Sequence, residues 1–352
     1  LNDVRCTACG QCSTVCPVAA ITEKEDIDRV WAALSDPDKH VVVQTAPAVR
    51  VSIGEEFGLE PGSIVTNKLV AALRALGFDA VFDTDFTADL TIMEEGHELL
   101  QRIKEGGVLP MLTSCSPGWI NYVEQYYPEL LPHVSTCKSP QQMFGALAKG
   151  YYPEKIGKNP EDIFSVSIMP CTAKKYEAQR SEMRLDKKHP DVDAVLTTRE
   201  LGRMLKQAGI EFNQLEEEQY DDPFGISTGA AVIFGATGGV MEAALRTVYE
   251  VVTGKTLRNI NFTDVRGLDG IKEAVIDLAG TPVRVLVAHS LSKAKQVMEM
   301  IKSGEASDVA FIEIMCCPGG CIGGGGQPYG VTNALRQERI DATYRADGEM
   351  VI

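Results

Sequence analysis

Seven of the ten cysteines fall into two tight groups: Cys6, Cys9, Cys12 and Cys16, then Cys316, Cys317 and Cys321. Cys115, Cys137 and Cys171 stand alone. Thiols two or three residues apart converge on one centre, so this spacing points to metal ligation rather than to a disulfide framework. The run Cys6-x-x-Cys9-x-x-Cys12-x-x-x-Cys16-Pro17 has the gaps that let successive thiolates wrap a [4Fe–4S] cubane, with the fourth cysteine serving a second cluster. The chain has no partner run, so Cys6, Cys9 and Cys12 show no fourth ligand and Cys16 shows no cluster. An upstream extension of the native protein would supply both. The histidines, His40, His97, His133, His189 and His289, lie outside every group, which weakens zinc and haem readings.

Three further stretches surround the remaining cysteines. They are Thr113-Ser114-Cys115-Ser116-Pro117-Gly118-Trp119, then Met169-Pro170-Cys171-Thr172-Ala173-Lys174-Lys175-Tyr176-Glu177, then Glu313-Ile314-Met315-Cys316-Cys317-Pro318-Gly319-Gly320-Cys321 running on through Gly323–Gly326 to Gln327-Pro328. A single buried cysteine is usually a small hydrophobe, and a single lysine such as Lys174 usually sits on the surface. The third stretch resists that reading. Its glycines let the backbone approach a bulky inorganic group that side chains would hold off. Gly235-Ala236-Thr237-Gly238-Gly239 has no P-loop lysine or acidic partner and reads as a tight turn opening a helix.

The elements that must position these residues alternate between strand and helix. Strands are expected at 41–43, 80–82, 108–112, 163–169, 193–196, 283–288 and 309–314. Helices are expected from Ser63, and over 88–105, 198–208, 240–252 and 291–303. Cys115, Cys171 and Cys317 each follow the end of an expected strand, the edge where ligands of open α/β sheets collect. The fold class is α/β: two lobes of mostly parallel sheets flanked by helices, about 40–170 and 171–325, with the cofactor between them. Residues 1–25 form a partial ferredoxin-like segment too short for its own core, to be held by a cluster. Residues 26–335 are expected to form the main domain and 336–352 a tail. The chain starts at Leu1, in mid-motif and without a signal peptide, and reads as an excised piece.

The 352 residues carry a formal charge of −15, which repels nucleic-acid phosphates and suits solubility or docking to basic patches on a partner. No apolar run of roughly 18 residues exists, so no membrane span is expected. Clustered thiols imply a reducing, cytoplasmic setting.

The three stretches, in this order, resemble the signature loops of iron-only ([FeFe]) hydrogenases, and the similarity runs from Cys6 to about Tyr329. The resemblance implies an H-cluster: a [4Fe–4S] cubane bridged by a cysteine sulfur to a diiron unit carrying CO, cyanide and a dithiolate. By position, Cys171, Cys317 and Cys321 match cubane ligands, with Cys321 the bridge, and Lys174 matches the lysine that holds a cyanide ligand. Ala46, Pro47, Ser139, Pro140, Gln141, Met169, Phe234 and Met315 match pocket-lining positions. Cys115 matches the thiol nearest the dithiolate, and Glu95, Glu98, Ser135 and Arg102 match a proton relay. Implied partners are ferredoxin or other electron-transfer subunits, with H2 and protons as substrates, and maturation proteins.

Two positions depart from that pattern. The usual form has a second cysteine where Ser116 stands, and a small residue where Cys316 stands. A hydroxyl is a far poorer iron ligand than a thiolate. The fourth cubane ligand is therefore open among Cys115, Cys137, Cys316 and incomplete ligation. The expected activity is 2H⁺ + 2e⁻ ⇌ H2, with this chain able to serve as one subunit of an electron-bifurcating complex. Its rivals are a sensory relative of low turnover and an iron–sulfur assembly protein without the diiron unit.

Overall fold

Two runs rich in β-branched residues, Val41–Val43 and Ile163–Met169, lie side by side at the centre of the first sheet. The computed structural model describes residues 4–255, 265–268, 270–278 and 280–350. In the first sheet β1 (His40–Thr45), β2 (Ala80–Asp83), β4 (Ile163–Met169) and β7 (Ala194–Thr197) run parallel in the order β2-β1-β4-β7. The second sheet has the order β3-β10-β9-β8, from β3 (Met111–Leu112), β8 (Ile271–Leu278), β9 (Thr281–His289) and β10 (Val309–Met315). There β3, β10 and β9 are parallel and β8 is antiparallel to β9. A short antiparallel pair, β5 (Arg184–Leu185) and β6 (His189–Pro190), stands apart. β4 and β10 are buried along almost their whole length, as strands covered on both faces must be.

The two sheets do not divide at residues 170 and 171. β3 comes from the first half of the chain yet pairs with β10, Met111 opposite Phe311. β7, from the second half, pairs with β4, Val166 opposite Ala194. The lobes therefore interleave, because a parallel neighbour needs only a crossover of sufficient length and not the nearest segment in sequence. β8 had no counterpart among the expected strands. It is a half-exposed edge strand whose Lys272, Glu273 and Asp277 break up the apolar signal.

Asp83 caps the long helix Thr84–Glu105, its carboxylate accepting from the Asp85 amide, so this helix starts earlier than 88. The helix ends at Gly106, whose φ of 72° suits a residue without Cβ. Residues 336–349, expected as part of a tail, belong to a helix, Asn333–Glu349. Its buried side includes Arg339, which reaches Glu55 and the Ile322 carbonyl, so the buried face has no simple apolar stripe. Residues 351 and 352 lie outside the described residues.

The cysteine-rich N-terminal segment is tied down by more than a cluster. Thr172 Oγ1 donates to the Ala8 carbonyl at 2.7 Å, and Gln11 Nε2 donates to the Gly323 carbonyl at 2.9 Å. Arg199, 2% exposed, donates to Glu23 at 2.8 Å and to the carbonyls of Gly325 and Gln327 at 2.8 and 2.6 Å. One guanidinium thus joins the N-terminal segment to the glycine loop. Removing one member of a buried ion pair strands the other charge. Arg199→Ala should cost about 3–5 kcal/mol in denaturant unfolding, and Arg199→Ala/Glu23→Gln should cost less. A single-variant loss below about 1 kcal/mol, the worth of an exposed pair, would contradict this.

Candidate active site

Most of the loops that line the site leave the carboxyl ends of strands. Ala46-Pro47 follows β1, Thr84 follows β2, Pro170-Cys171 follows β4, Thr113-Ser114-Cys115 follows β3, and Cys316-Cys317 follows β10. They enclose two adjoining chambers. The outer one is lined by Ala46, Pro47, Ala48, Thr84, Ala88, Pro140, Gln141, Met169, Pro170, Phe234 and Gly235. The inner one is lined by Cys9, Ser116, Gly118, Cys316, Cys317, Gly320 and Gly324. Cys115, Cys171, Lys174, Met315 and Cys321 line both and form the wall between them.

Close backbone contact builds the inner chamber. A Cβ on Gly324 would lie 2.1 Å from the Pro170 carbonyl oxygen, and one on Gly320 would lie 2.7 Å from the Thr237 amide nitrogen. Only glycine allows this loop to lie against its neighbours. Gly235–Gly239 does form a tight turn, and it opens the helix Gly239–Thr253.

Burial governs the thiols. It pushes Cys115 and Cys171 well above the ordinary thiol range and Cys321 up to about 12. Cys9 behaves oppositely: a hydrogen bond with Cys316 outweighs burial and, with the Gln11 amide, holds its thiol down at about 5. Backbone amides of Val18, Ile21 and Ala20 lower Cys16. Cys6 and Cys12 line a separate, open cavity beside Ala8 and Gly10.

Lys174 Nζ donates to the Cys115 carbonyl at 3.1 Å and to both Glu177 oxygens at 3.2 and 3.0 Å. Glu177 also accepts from Ser139 Oγ at 2.9 Å and from Gln141 Nε2 at 3.0 Å. Ser139 thus acts behind the lining rather than on it. No role for Glu177 was legible beforehand; its position three residues after Lys174 on one helical face was the available signal.

From Cys115 a chain of polar groups leads outward. Glu95 is fully buried, and among the described residues neither carboxylate oxygen makes a well-formed hydrogen bond, with Ser135 and the Ser114 amide nearby. Burial therefore pushes it up to about 7, against weaker lowering by Ser135 and the Ser114 amide. Ser135 Oγ donates to Glu98 Oε2 at 3.0 Å, and Arg102 donates to Glu98 Oε1 at 2.6 Å. Burial would raise Glu98 too, but the Thr136 amide and Arg102 hold it below its usual range. Thr136 and Cys137, the latter at 3.8 Å, add contacts to Glu98. Cys137 lies on this outward path and lines neither chamber.

The residues fit a multi-atom iron–sulfur group. Soft sulfur donors surround a space instead of meeting at a point, and among the described residues no three His, Cys, Asp or Glu side chains could hold a single ion. Parallel α/β sheets presenting cysteine loops to one apolar chamber define an iron–sulfur protein with a second space beside the cluster site.

Two family models match the chain: "Iron only hydrogenase large subunit, C-terminal domain" over residues 39–325, and "4Fe-4S binding domain" over residues 2–22. The chain belongs to the iron-only hydrogenase family. It is 53% identical to the NADP-reducing hydrogenase subunit HndD of Solidesulfovibrio fructosivorans, across 99% of this chain and 60% of that subunit. It is thus similar to part of that longer protein. It is 52% identical to the periplasmic [Fe] hydrogenase large subunit of Nitratidesulfovibrio vulgaris, covering 95% of this chain and 88% of the relative. A solved variant of [FeFe]-hydrogenase HydA1 from Chlamydomonas reinhardtii superposes with a TM-score of 0.81 at 45% identity, over 91% of this chain and 89% of that one.

The Glu95 environment has a measurable consequence. A carboxyl raised from 4.5 to about 7 keeps its proton in the folded chain after the unfolded chain has lost it. Stability should therefore fall as pH rises through that window, by about 3 kcal/mol over its width. Glu95→Gln should remove this slope, gaining on the parent chain between pH 5 and 8 in unfolding midpoints. Parallel curves for the two proteins would refute the assignment.

Proposed function

We propose that this chain is the catalytic portion of an [FeFe] hydrogenase, interconverting protons, electrons and H2. One observation carries the reading: Cys171 and Cys321, far apart in sequence, line the same two chambers, with Cys115 and Lys174 on the shared wall. Cys171, Cys317 and Cys321 would hold the cubane, and the outer chamber would take the diiron unit. When bound, that group supplies the electron reservoir and the open metal position at which H2 is made or split.

The chain's own residues bind, exclude water and move protons. Lys174, fixed by Glu177 and the Cys115 carbonyl, presents an ammonium toward an anionic ligand in the outer chamber. Apolar side chains such as Met169, Phe234 and Met315 keep that chamber dry. Cys115, held as a thiol by burial, delivers or takes a proton at the wall. Glu95, poised near neutrality, passes it toward Ser135 and Glu98, where Arg102 keeps the receiving carboxylate charged. Cys6, Cys9, Cys12 and Cys16 would hold the iron–sulfur centres that exchange electrons with ferredoxin or a companion subunit.

Likeness to a subunit of an NADP-reducing hydrogenase supports a place in a multi-subunit assembly, an electron-bifurcating one included, with nicotinamide and flavin sites on other chains. Among the described residues no helix is long and apolar enough to cross a membrane.

Infrared spectroscopy of the matured protein tests the reading. Bands of CO and cyanide are expected alongside H2 evolution, and Lys174→Ala should lose most of that absorbance while keeping its cubane iron. Matured protein without such bands would leave only an iron–sulfur carrier. Unchanged bands in Lys174→Ala would remove that residue from the site.

A further inference from the structure

We propose that Cys316 supplies the fourth thiolate of the cubane held by Cys171, Cys317 and Cys321, replacing the sulfur that Ser116 lacks. This rests on the reading of the inner chamber as a cubane site. The family pattern has a cysteine at the position of Ser116 and a small residue at that of Cys316, and this chain carries the reverse pair. The structure puts the two positions in contact. The Cys316 amide donates to Ser116 Oγ at 3.2 Å, and both side chains line the inner chamber with Cys171, Cys317 and Cys321. Moving the sulfur from one position to the other keeps it in the same chamber.

Room for that sulfur is built into the facing helix. A Cβ on Gly118 would lie 2.7 Å from Cys316 Sγ and 3.2 Å from its Cβ. Gly118 is buried in the helix Pro117–Tyr126, so any larger residue there would push the thiol aside. The Ser116 hydroxyl, accepting from the Cys316 amide, fixes the loop that carries it.

Of the other candidate thiols, Cys115 and Cys9 also reach the inner chamber, but each has a second engagement. Cys137 lines neither chamber and lies against Glu98. Cys115 packs against the apolar cluster of Met315 and Phe234, at the head of the Glu95 path. Cys9 reaches the inner chamber and shares a hydrogen bond with Cys316, as Cys317 does, but it belongs to a run whose Cys6 and Cys12 line a separate cavity. On ligation the Cys316 thiol releases its proton to solvent as the sulfur–iron bond forms, and no electron changes hands.

The test uses the full chain, purified without oxygen and reconstituted with iron and sulfide. The readouts are iron and sulfide content and electron paramagnetic resonance of oxidised and reduced protein. Cys316→Ala should lose about one iron from the cubane, turning it into a three-iron form visible when oxidised. Ser116→Cys/Cys316→Ala should restore the iron and the parent signal. Cys115→Ala should keep the full cubane iron and sulfide content. A full iron count and parent signal in Cys316→Ala would overturn the proposal. So would loss of cubane iron in Cys115→Ala. A Cys316→Ala change confined to the signal that Cys12→Ala alters would assign Cys316 to the N-terminal cluster and also overturn it. Full iron content in Cys171→Ala would instead bring down the chamber reading, and the ligand assignment with it.

Discussion

The glycine loop after β10 lies directly on the carbonyl that follows β4, and this contact holds the site together. The Gly326 amide donates to the Pro170 carbonyl at 2.8 Å, and Gly324 passes so close that a methyl group would collide with the same oxygen. Arg199 and Gln327 lock the arrangement from beneath: Arg199 clasps the Gly325 and Gln327 carbonyls, and Gln327 Oε1 accepts from Ser52 and Thr198 hydroxyls. Through this contact a loop from each sheet meets the other. Without it Cys171 and Cys321 would belong to different surfaces.

Once the loops meet, burial does the remaining electrostatic work. It disfavours free thiolates at Cys115, Cys171 and Cys321, whose protons a metal charge would displace, whereas hydrogen bonds from Cys316 favour the thiolates of Cys9 and Cys317. It also separates two carboxyls of the same type, three residues apart on one helix. Glu95, fully buried, rises to about 7, while Glu98, held by Arg102 and an amide, falls. Two like groups with opposed environments suit a relay with one exchanging and one charged station. The Lys174–Glu177 pair is similarly buried. Buried pairs add little net stability, so its value lies in fixing where the ammonium stands.

Much of this was legible in the residues. β-branched runs ending in Pro-Cys or Cys-Cys gave away both the strands and the edge at which they present sulfur. The interleaving of the sheets was not legible, because a parallel strand's partner is chosen by crossover geometry and not by its own pattern. β8 and the helix Asn333–Glu349 escaped because charged residues interrupt their apolar faces, and at Arg339 the charge itself is buried between Glu55 and a carbonyl. Glu177 and Arg199 act through partners distant in sequence or hidden in a loop, which no spacing rule exposes. The unusual pair Ser116 and Cys316 was visible as two separate departures; that they touch is a fact of the fold.

Anomalous diffraction at the iron absorption edge, on crystals of the anaerobically matured chain, tests the central claim most directly. The account predicts iron between Cys171, Cys317 and Cys321 and more iron beyond the wall of Cys115 and Lys174. Iron confined to the neighbourhood of Cys6, Cys9 and Cys12, with none between the two sheets, would contradict it.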